Sequence, residues 1–257
     1  MVVRIRIDLA YDGAQFAGFA RQPGLRTVQG VLEDALHRLA GAPLSTTAAG
    51  RTDRGVHATA QTVHCDVPSD APSSARLLAD LGAARAALDA ICGPEIAIWR
   101  MRRASPTFDA RFSATQRRYR YRVCDAPVMS PLWRHDTWHA GPPLLDIEAM
   151  EAGGRHLLGE HDFSSFCRRA EPGQTLVRRI DALTVRRERA GLVIVSVAGK
   201  AFCHQMVRSL VGCLLAVGRG RRPAAWIDDV LVARDRHAAG QLAPPHGLTL
   251  VGVSYPG

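Results

Sequence analysis

Gly50-Arg51-Thr52-Asp53-Arg54-Gly55-Val56-His57-Ala58 lies in the middle of residues 45–67, which read as strand, turn and strand. A turn this short joins antiparallel neighbours, because a parallel partner needs a long crossover. The run also places one carboxylate between two guanidinium groups, on a turn bracketed by glycines. Fixed cations nearby favour the ionised carboxylate. That suits a nucleophile, or an electrostatic partner for a developing cation, better than a general acid. The glycines permit positive φ or the close approach of another chain segment. A salt-bridged surface turn is the plainer reading, and the tripeptide Arg51-Thr52-Asp53 alone favours it. The longer run and the segments below favour chemistry.

Outward from this turn, residues 3–10 alternate apolar and polar as a half-buried strand does, and Tyr11-Asp12-Gly13 ends it. Thr27 caps a helix whose Val28, Val31, Leu32, Ala35, Leu36 and Leu39 recur at helical spacing, closed by Gly41. A Pro/Ser-rich loop over residues 68–74 precedes a second amphipathic helix carrying Leu77, Leu78, Leu81 and Leu88. Residues 96–101 give another strand. Further on, residues 117–124 alternate with Tyr119, Tyr121 and Val123 on one face and Arg118, Arg120 and Arg122 on the other. A helix near residues 146–158 follows. Strands over 178–187 and 192–198 are joined at Ala190-Gly191. An apolar helix spans 202–217, a short helix 226–232, and a last strand 248–255. Hairpins mixed with helices predict an α+β chain with mainly antiparallel sheet. The predicted halves are residues 1–105, which carry the Asp53 turn, and 106–257; no low-complexity linker separates them.

Net charge is +9 with a pI near 9.9, and Lys200 is the only lysine. Residues 1–105 hold 12 basic and 10 acidic side chains, and residues 106–257 hold 21 and 14. A polyanion is therefore expected against the second half, where arginine's planar fork suits phosphates and bases. The six cysteines form no C-x-x-C pair, which argues against disulfides and structural zinc, and the ten histidines show no ligand spacing. No metal is expected. No long apolar run follows Met1-Val2-Val3-Arg4, and residues 210–217 are too few to span a bilayer. A cytoplasmic protein without a membrane partner is expected.

Three further segments bear on chemistry. Arg117-Arg118-Tyr119-Arg120-Tyr121 interleaves aromatic rings with cations, as stacking on unpaired bases requires, although core tyrosines with solvated arginines behind them are as reasonable. On the 202–217 helix, His204, Gln205, Arg208 and Gly212 share a stripe opposite the apolar one. An arginine there needs a partner, and Asp53 is a candidate. Ala243-Pro244-Pro245-His246-Gly247-Leu248 is a rigid turn entering a strand.

Taken in order, these pieces resemble the tRNA pseudouridine synthase A family. The resemblance runs through Tyr11-Asp12-Gly13 with Phe16 and Gly18, Thr27-Val28-Gln29 and the Gly50 to Ala58 run. It continues through Ala110-Arg111-Phe112-Ser113-Ala114, Arg118-Tyr119-Arg120-Tyr121, residues 159–166, Met206-Val207-Arg208, and Ala243-Pro244-Pro245 with Gly247-Leu248. It implies a homodimer whose protomer joins two α/β halves through their sheets across a basic cleft. The implied reaction is cofactor-free isomerisation of uridine to pseudouridine at positions 38–40 of the tRNA anticodon arm. By motif position Asp53 resembles the catalytic aspartate, Arg51 and Arg208 its charge partners, Tyr119 the tyrosine that stacks on the target base, and Leu248 an apolar wall of the pocket. Arg54, His57, Arg118, Arg120 and Tyr121 fall among the implied substrate-binding residues. Three departures stand out: Arg54 in place of a small residue, Phe19 in place of tryptophan, and Cys203-His204-Gln205 before Met206.

The implied reaction breaks the bond from C1′ to N1 and rejoins the base through C5. It is redox-neutral, which agrees with the absence of a P-loop or dinucleotide fingerprint. A carboxylate stabilises or attacks the charge that builds at C1′. Tyr119 is the one residue named for relaying the C5 proton. Two rival readings remain at this stage, a non-catalytic RNA-binding protein and an N-glycosylase that releases uracil.

Overall fold

The structure, a computed structural model, describes residues 2–70, 72–168, 173, 175–188 and 191–256. Its first elements are β1 (Val2–Tyr11), α1 (Val28–Ala40), β2 (Thr46–Ala48), β3 (His57–Pro68), α2 (Pro72–Ala79), α3 (Leu81–Cys92) and β4 (Ile96–Arg103). There follow β5 (Gln116–Cys124), β6 (Trp138–His139), α4 (Ile147–Arg155), β7 (Gly159–Asp162), β8 (Val177–Arg187) and β9 (Leu192–Gly199). The last are α5 (Met206–Gly218), α6 (Trp226–Ala233) and β10 (Leu248–Ser254). The chain divides into two compact units, Met1–Thr115 with Leu250–Gly257, and Gln116–Thr249.

In the first unit, β1 is two-faced because its side chains alternate. Ile5, Ile7 and Leu9 are fully buried, while Arg4, Arg6 and Asp8 between them are half-buried at most. β1 pairs antiparallel with β3 on one side and β4 on the other, and β2 extends β3, with Thr46 opposite Cys65. Thr27 caps α1 by accepting the Gly30 N–H at 3.2 Å, and Gly41 closes it at φ 71°. The single helix expected after residue 74 is two. Pro72 starts α2 inside the expected loop, as its fixed φ suits a first helical position. Asp80 then interrupts the run, its Oδ1 taking the Ala83 N–H at 2.9 Å to cap α3.

The first unit also reaches past residue 105 and takes back the end of the chain. Ala104 donates to the Arg4 carbonyl at 2.9 Å, Ala110 to His64 Nδ1 at 3.0 Å, and Thr115 to the Ser254 carbonyl at 2.9 Å. The Tyr255 hydroxyl donates to the Ala110 carbonyl at 2.8 Å, and the Arg6 guanidinium lies 4.6 Å from the Tyr255 ring centroid. These long-range bonds, invisible to local patterning, put the division ten residues later than expected.

In the second unit, β9 is flanked antiparallel by β5 and β8, and β8 by β7; β6 runs parallel to β5. Ala190, half of the expected β8–β9 turn, lies outside the described residues, and Gly191 follows at φ 74°. α5 buries Met206, Val207, Leu210, Val211, Leu214 and Leu215, the residues whose spacing predicts that face. It starts four residues later than expected. Gln205 is left-handed at φ 65°, which breaks helical geometry before Met206. Close packing of α4 rests on small residues: a Cβ on Gly218 would meet Met150 at 2.6 Å. Among the described residues, no helix is long and apolar enough to cross a membrane.

Candidate active site

Asp53 stands on the β2–β3 connection, and backbone atoms hold that connection in place. Ala49 donates to the Thr62 carbonyl at 2.8 Å, extending the ladder past β2. Buried Gln61 gives its amide to the Gly50 carbonyl at 2.7 Å and to the Tyr11 hydroxyl at 3.3 Å. Tyr11 in turn shares a 2.8 Å hydrogen bond with the Thr52 hydroxyl, and the Phe19 N–H donates to the Thr52 carbonyl at 3.0 Å. The turn closes where Val56 N–H reaches the Asp53 carbonyl at 3.1 Å, with Gly55 at φ 78° in its third position. Asp53 itself is half-buried.

Two glycines let other chain segments press on this turn. Gly18 has φ 119°, and a Cβ there would sit 3.2 Å from the Thr52 carbonyl oxygen and 3.3 Å from Arg54 N. At Gly13 a Cβ would collide with the Val56 carbonyl. Sequence reading took Tyr11-Asp12-Gly13 only as a strand end; in the fold it is the floor of the Asp53 turn.

The residues flanking Asp53 divide into two kinds. Arg51 and Arg54 are exposed and make no hydrogen bond or ion pair among the described residues. The expected Arg51 clamp on Asp53 is therefore absent: an exposed pair gains too little in water to hold two side chains together. His57 lies inside rather than at the surface, 8% exposed. Its Nδ1 is 3.1 Å from the Gly13 amide and 3.0 Å from Asp12 Oδ1, accepting from the first or donating to the second according to tautomer. A ring so enclosed tethers the Asp12–Gly13 turn and does not reach a substrate, which corrects its expected binding role.

The second unit presents β5 with the expected alternation. Arg118 and Arg120 are exposed and without partners among the described residues, and Tyr119 and Tyr121 are buried. Arg122 is paired, its Nη1 3.1 Å from Asp136 Oδ2. Tyr119 meets the Phe202 ring edge-on at 5.1 Å, a contact with no sequence signal. Tyr121 departs from expectation. It is fully buried, its hydroxyl donates to the Pro244 carbonyl at 2.7 Å, and burial pushes its phenol pKa up. A Cβ on Gly247 would lie 2.6 Å from that ring, so the 244–247 turn wraps it and leaves no face for a base. Leu248, which follows, is buried.

Arg208 falls in the first turn of α5, where the helix dipole disfavours a cation by about 0.3–1 kcal/mol. Its Nε donates to the Ala243 carbonyl at 2.7 Å, and the Ala243 N–H returns a bond to the Arg208 carbonyl at 3.3 Å. The guanidinium is thus aimed by the 243–247 segment rather than by its own helix. Among the described residues, no group of three or more His, Cys, Asp or Glu could hold a metal.

A family model described as tRNA pseudouridine synthase matches residues 9–95 and 154–256, which include Asp53, Arg208 and their supporting turns. The tRNA pseudouridine synthase A of Frankia casuarinae is 51% identical over 257 residues, covering 99% of this chain and 90% of the relative. That of Streptomyces griseus is 46% identical over 261 residues, covering 99% and 88%. Glycines at 13 and 18, a left-handed residue before α5 and an arginine against its helix dipole are features a stable fold alone would not select. With identity at this level over nearly the whole length, they place the chain in the tRNA pseudouridine synthase family.

Proposed function

We propose that this chain isomerises uridine to pseudouridine in the anticodon arm of tRNA, at positions 38–40, with no cofactor. The observation that carries the reading is the Asp53 turn, a half-buried carboxylate whose backbone is locked from several sides, between two exposed and unpartnered guanidinium groups. Breaking the C1′–N1 bond builds positive charge at C1′, and the Asp53 carboxylate meets that charge. The detached uracil turns, C5 bonds to C1′, and the C5 proton departs while N1 gains one. Nothing is oxidised or reduced.

Tyr119 and Arg208 keep the roles their motif positions imply, the ring against the base with its hydroxyl assigned to the C5 proton, and the charge partner of Asp53. Arg51, Arg54, Arg118 and Arg120 take phosphate, since none of them has an acid partner among the described residues. The target uridine is paired or stacked in the arm, so it leaves the stack before reaction. A homodimer in the cytoplasm, where tRNA is modified, completes the reading.

The test is release of tritium from tRNA labelled at C5 of uridine. Wild-type protein releases it and forms no free uracil; free uracil would mark a glycosylase instead. Asp53→Asn binds tRNA and releases no tritium, and full turnover by that variant would sink the assignment. Arg208→Lys keeps the charge but loses the guanidinium fork, so a wild-type rate there removes Arg208 from the reaction.

A further inference from the structure

The six cysteines are not equivalent. Burial pushes the thiols of Cys65, Cys92 and Cys213 up, to about 12, 11 and 11, and Cys124 is buried as well. Such thiols are protonated and inert. Cys203 is the one cysteine that is not buried, and its side chain shares a hydrogen bond with the thiol of buried Cys167. Backbone geometry sets this pair: the Arg168 N–H donates to the His204 carbonyl at 3.0 Å, so the segments carrying the two sulfurs are tied side by side. Met206 N–H reaches the Cys203 carbonyl at 3.1 Å, which fixes the second segment on the start of α5.

Charge around the pair is asymmetric. Arg178 bears on both sulfurs, Arg236 on Cys167, and Asp162 on Cys203. The S–H donated by Cys167, helped by Arg178, holds the Cys203 thiol below its usual range against burial and Asp162. Cys167, as the donor, is held up. Arg178 gives Nη1 to the carbonyls of Thr175 at 3.0 Å and Val177 at 2.6 Å. Its Nε is buried and has no acceptor among the described residues. An anionic sulfur or a sulfur-bound oxygen is the chemistry that such a donor lacks.

We propose that Cys203 and Cys167 are a peroxide-reactive thiol pair that closes to an intrachain disulfide. The Cys203 thiolate attacks one oxygen of hydrogen peroxide, the O–O bond breaks, and hydroxide leaves to become water, which makes a sulfenic acid on Cys203. The Cys167 sulfur then attacks the Cys203 sulfur. The S–O bond breaks, and the Cys167 proton leaves with that oxygen as a second water. Two thiols are oxidised by two electrons and one peroxide is reduced. This chemistry does not depend on the isomerase reading, and its test measures no turnover.

The test treats the purified full-length protein with sub-millimolar hydrogen peroxide, then counts free thiols and maps peptides without reduction. Two of the six thiols disappear, the peptides of Cys167 and Cys203 are recovered linked, and dithiothreitol restores the count. With dimedone present, Cys167→Ser yields the adduct on Cys203 and no link. Cys203→Ser keeps its five thiols under the same exposure. Retention of all six thiols in the wild type, first oxidation at another cysteine, or a link between two chains would each overturn the proposal. Since the wild-type map alone can do so, a variant that fails to fold leaves it no less exposed.

Discussion

Asp53 in the first unit and Asp125 in the second are both carboxylates just beyond a strand end, yet the structure treats them in opposite ways. Asp125 is fully buried, with each of its oxygens engaged. Arg187 donates Nη1 to Oδ1 at 2.9 Å and Nη2 to Oδ2 at 2.8 Å, and the Leu145 N–H donates to Oδ2 at 2.8 Å. Burial alone would raise its pKa, but Arg187 and the backbone outweigh it and hold the carboxyl below the usual range. Around Asp53 the fixing is applied to the main chain, through Gln61 on Gly50, Tyr11 and Phe19 on Thr52, and Val56 on Asp53. The flanking guanidinium groups are left in water. A structural acid is secured by occupying its oxygens; an acid meant to meet something else is secured by its backbone.

The sharpest break of this contrast is a pair of isosteric changes with opposite readouts. Asp53→Asn should lower tritium release by about 10³-fold or more, as loss of a group acting in the transition state does, with the melting midpoint nearly unchanged. Asp125→Asn should do the reverse. It leaves the Arg187 guanidinium without its charge partner, and costs about 3 kcal/mol in urea unfolding, the lower end for a broken buried pair because Arg187 is 31% exposed. Activity per folded molecule should stay within a few-fold of wild type. Equal losses of stability in the two variants would end the distinction.

Acid sharpens the same point. Because the folded pKa of Asp125 is depressed, the unfolded chain binds its proton first as pH falls. The stabilisation is complete above the ordinary carboxylate range near pH 4 and is lost as pH drops through the folded value. Urea titrations of wild type and Asp125→Asn should therefore differ most at pH 6–7 and converge below about pH 4. A gap that widens in acid would contradict the charge assignment.

Gly18→Ala probes the backbone side of the comparison. It forces an L side chain to φ 119° and brings a methyl within 3.2 Å of the Thr52 carbonyl. The expected cost is about 1–3 kcal/mol of strain. Since the methyl presses on the Asp53 turn itself, tritium release should also fall, by more than at a strained glycine remote from the turn such as Gly41.

How much of this was visible beforehand follows from the range of the interactions. Alternation foretold β1 and β5, and spacing with caps foretold α1, because each depends on neighbours a few residues apart. The Asp53 turn was legible for the same reason: its glycines and charges are contiguous. The Asp125–Arg187 pair was not, since 62 residues separate its members and neither carries a local signature. Alternation also says which side of a strand is inward without saying how completely it is closed. Tyr121 and His57 were therefore read as reachable, whereas the 244–247 turn and the Asp12–Gly13 turn enclose them. The breaks at Asp80 and Gln205 escaped because apolar spacing continues through them while the backbone does not.

The smallest effect tests what the flanking cations are for. Arg51 and Arg54 contribute no contact to the fold among the described residues, so Arg51→Gln and Arg54→Gln should each change stability by less than about 0.5 kcal/mol. A clamp on Asp53 and a contact to phosphate then give different results in one experiment. A phosphate contact makes log K fall less steeply with log salt once the arginine is gone, by roughly 0.7–0.9 per charge removed, while turnover at saturating tRNA is kept. A clamp lowers saturated turnover and leaves the salt slope alone. The absence of any Arg51 ion pair to Asp53 predicts the first pattern at Arg51, and Arg54, exposed one residue beyond the carboxylate, should follow it.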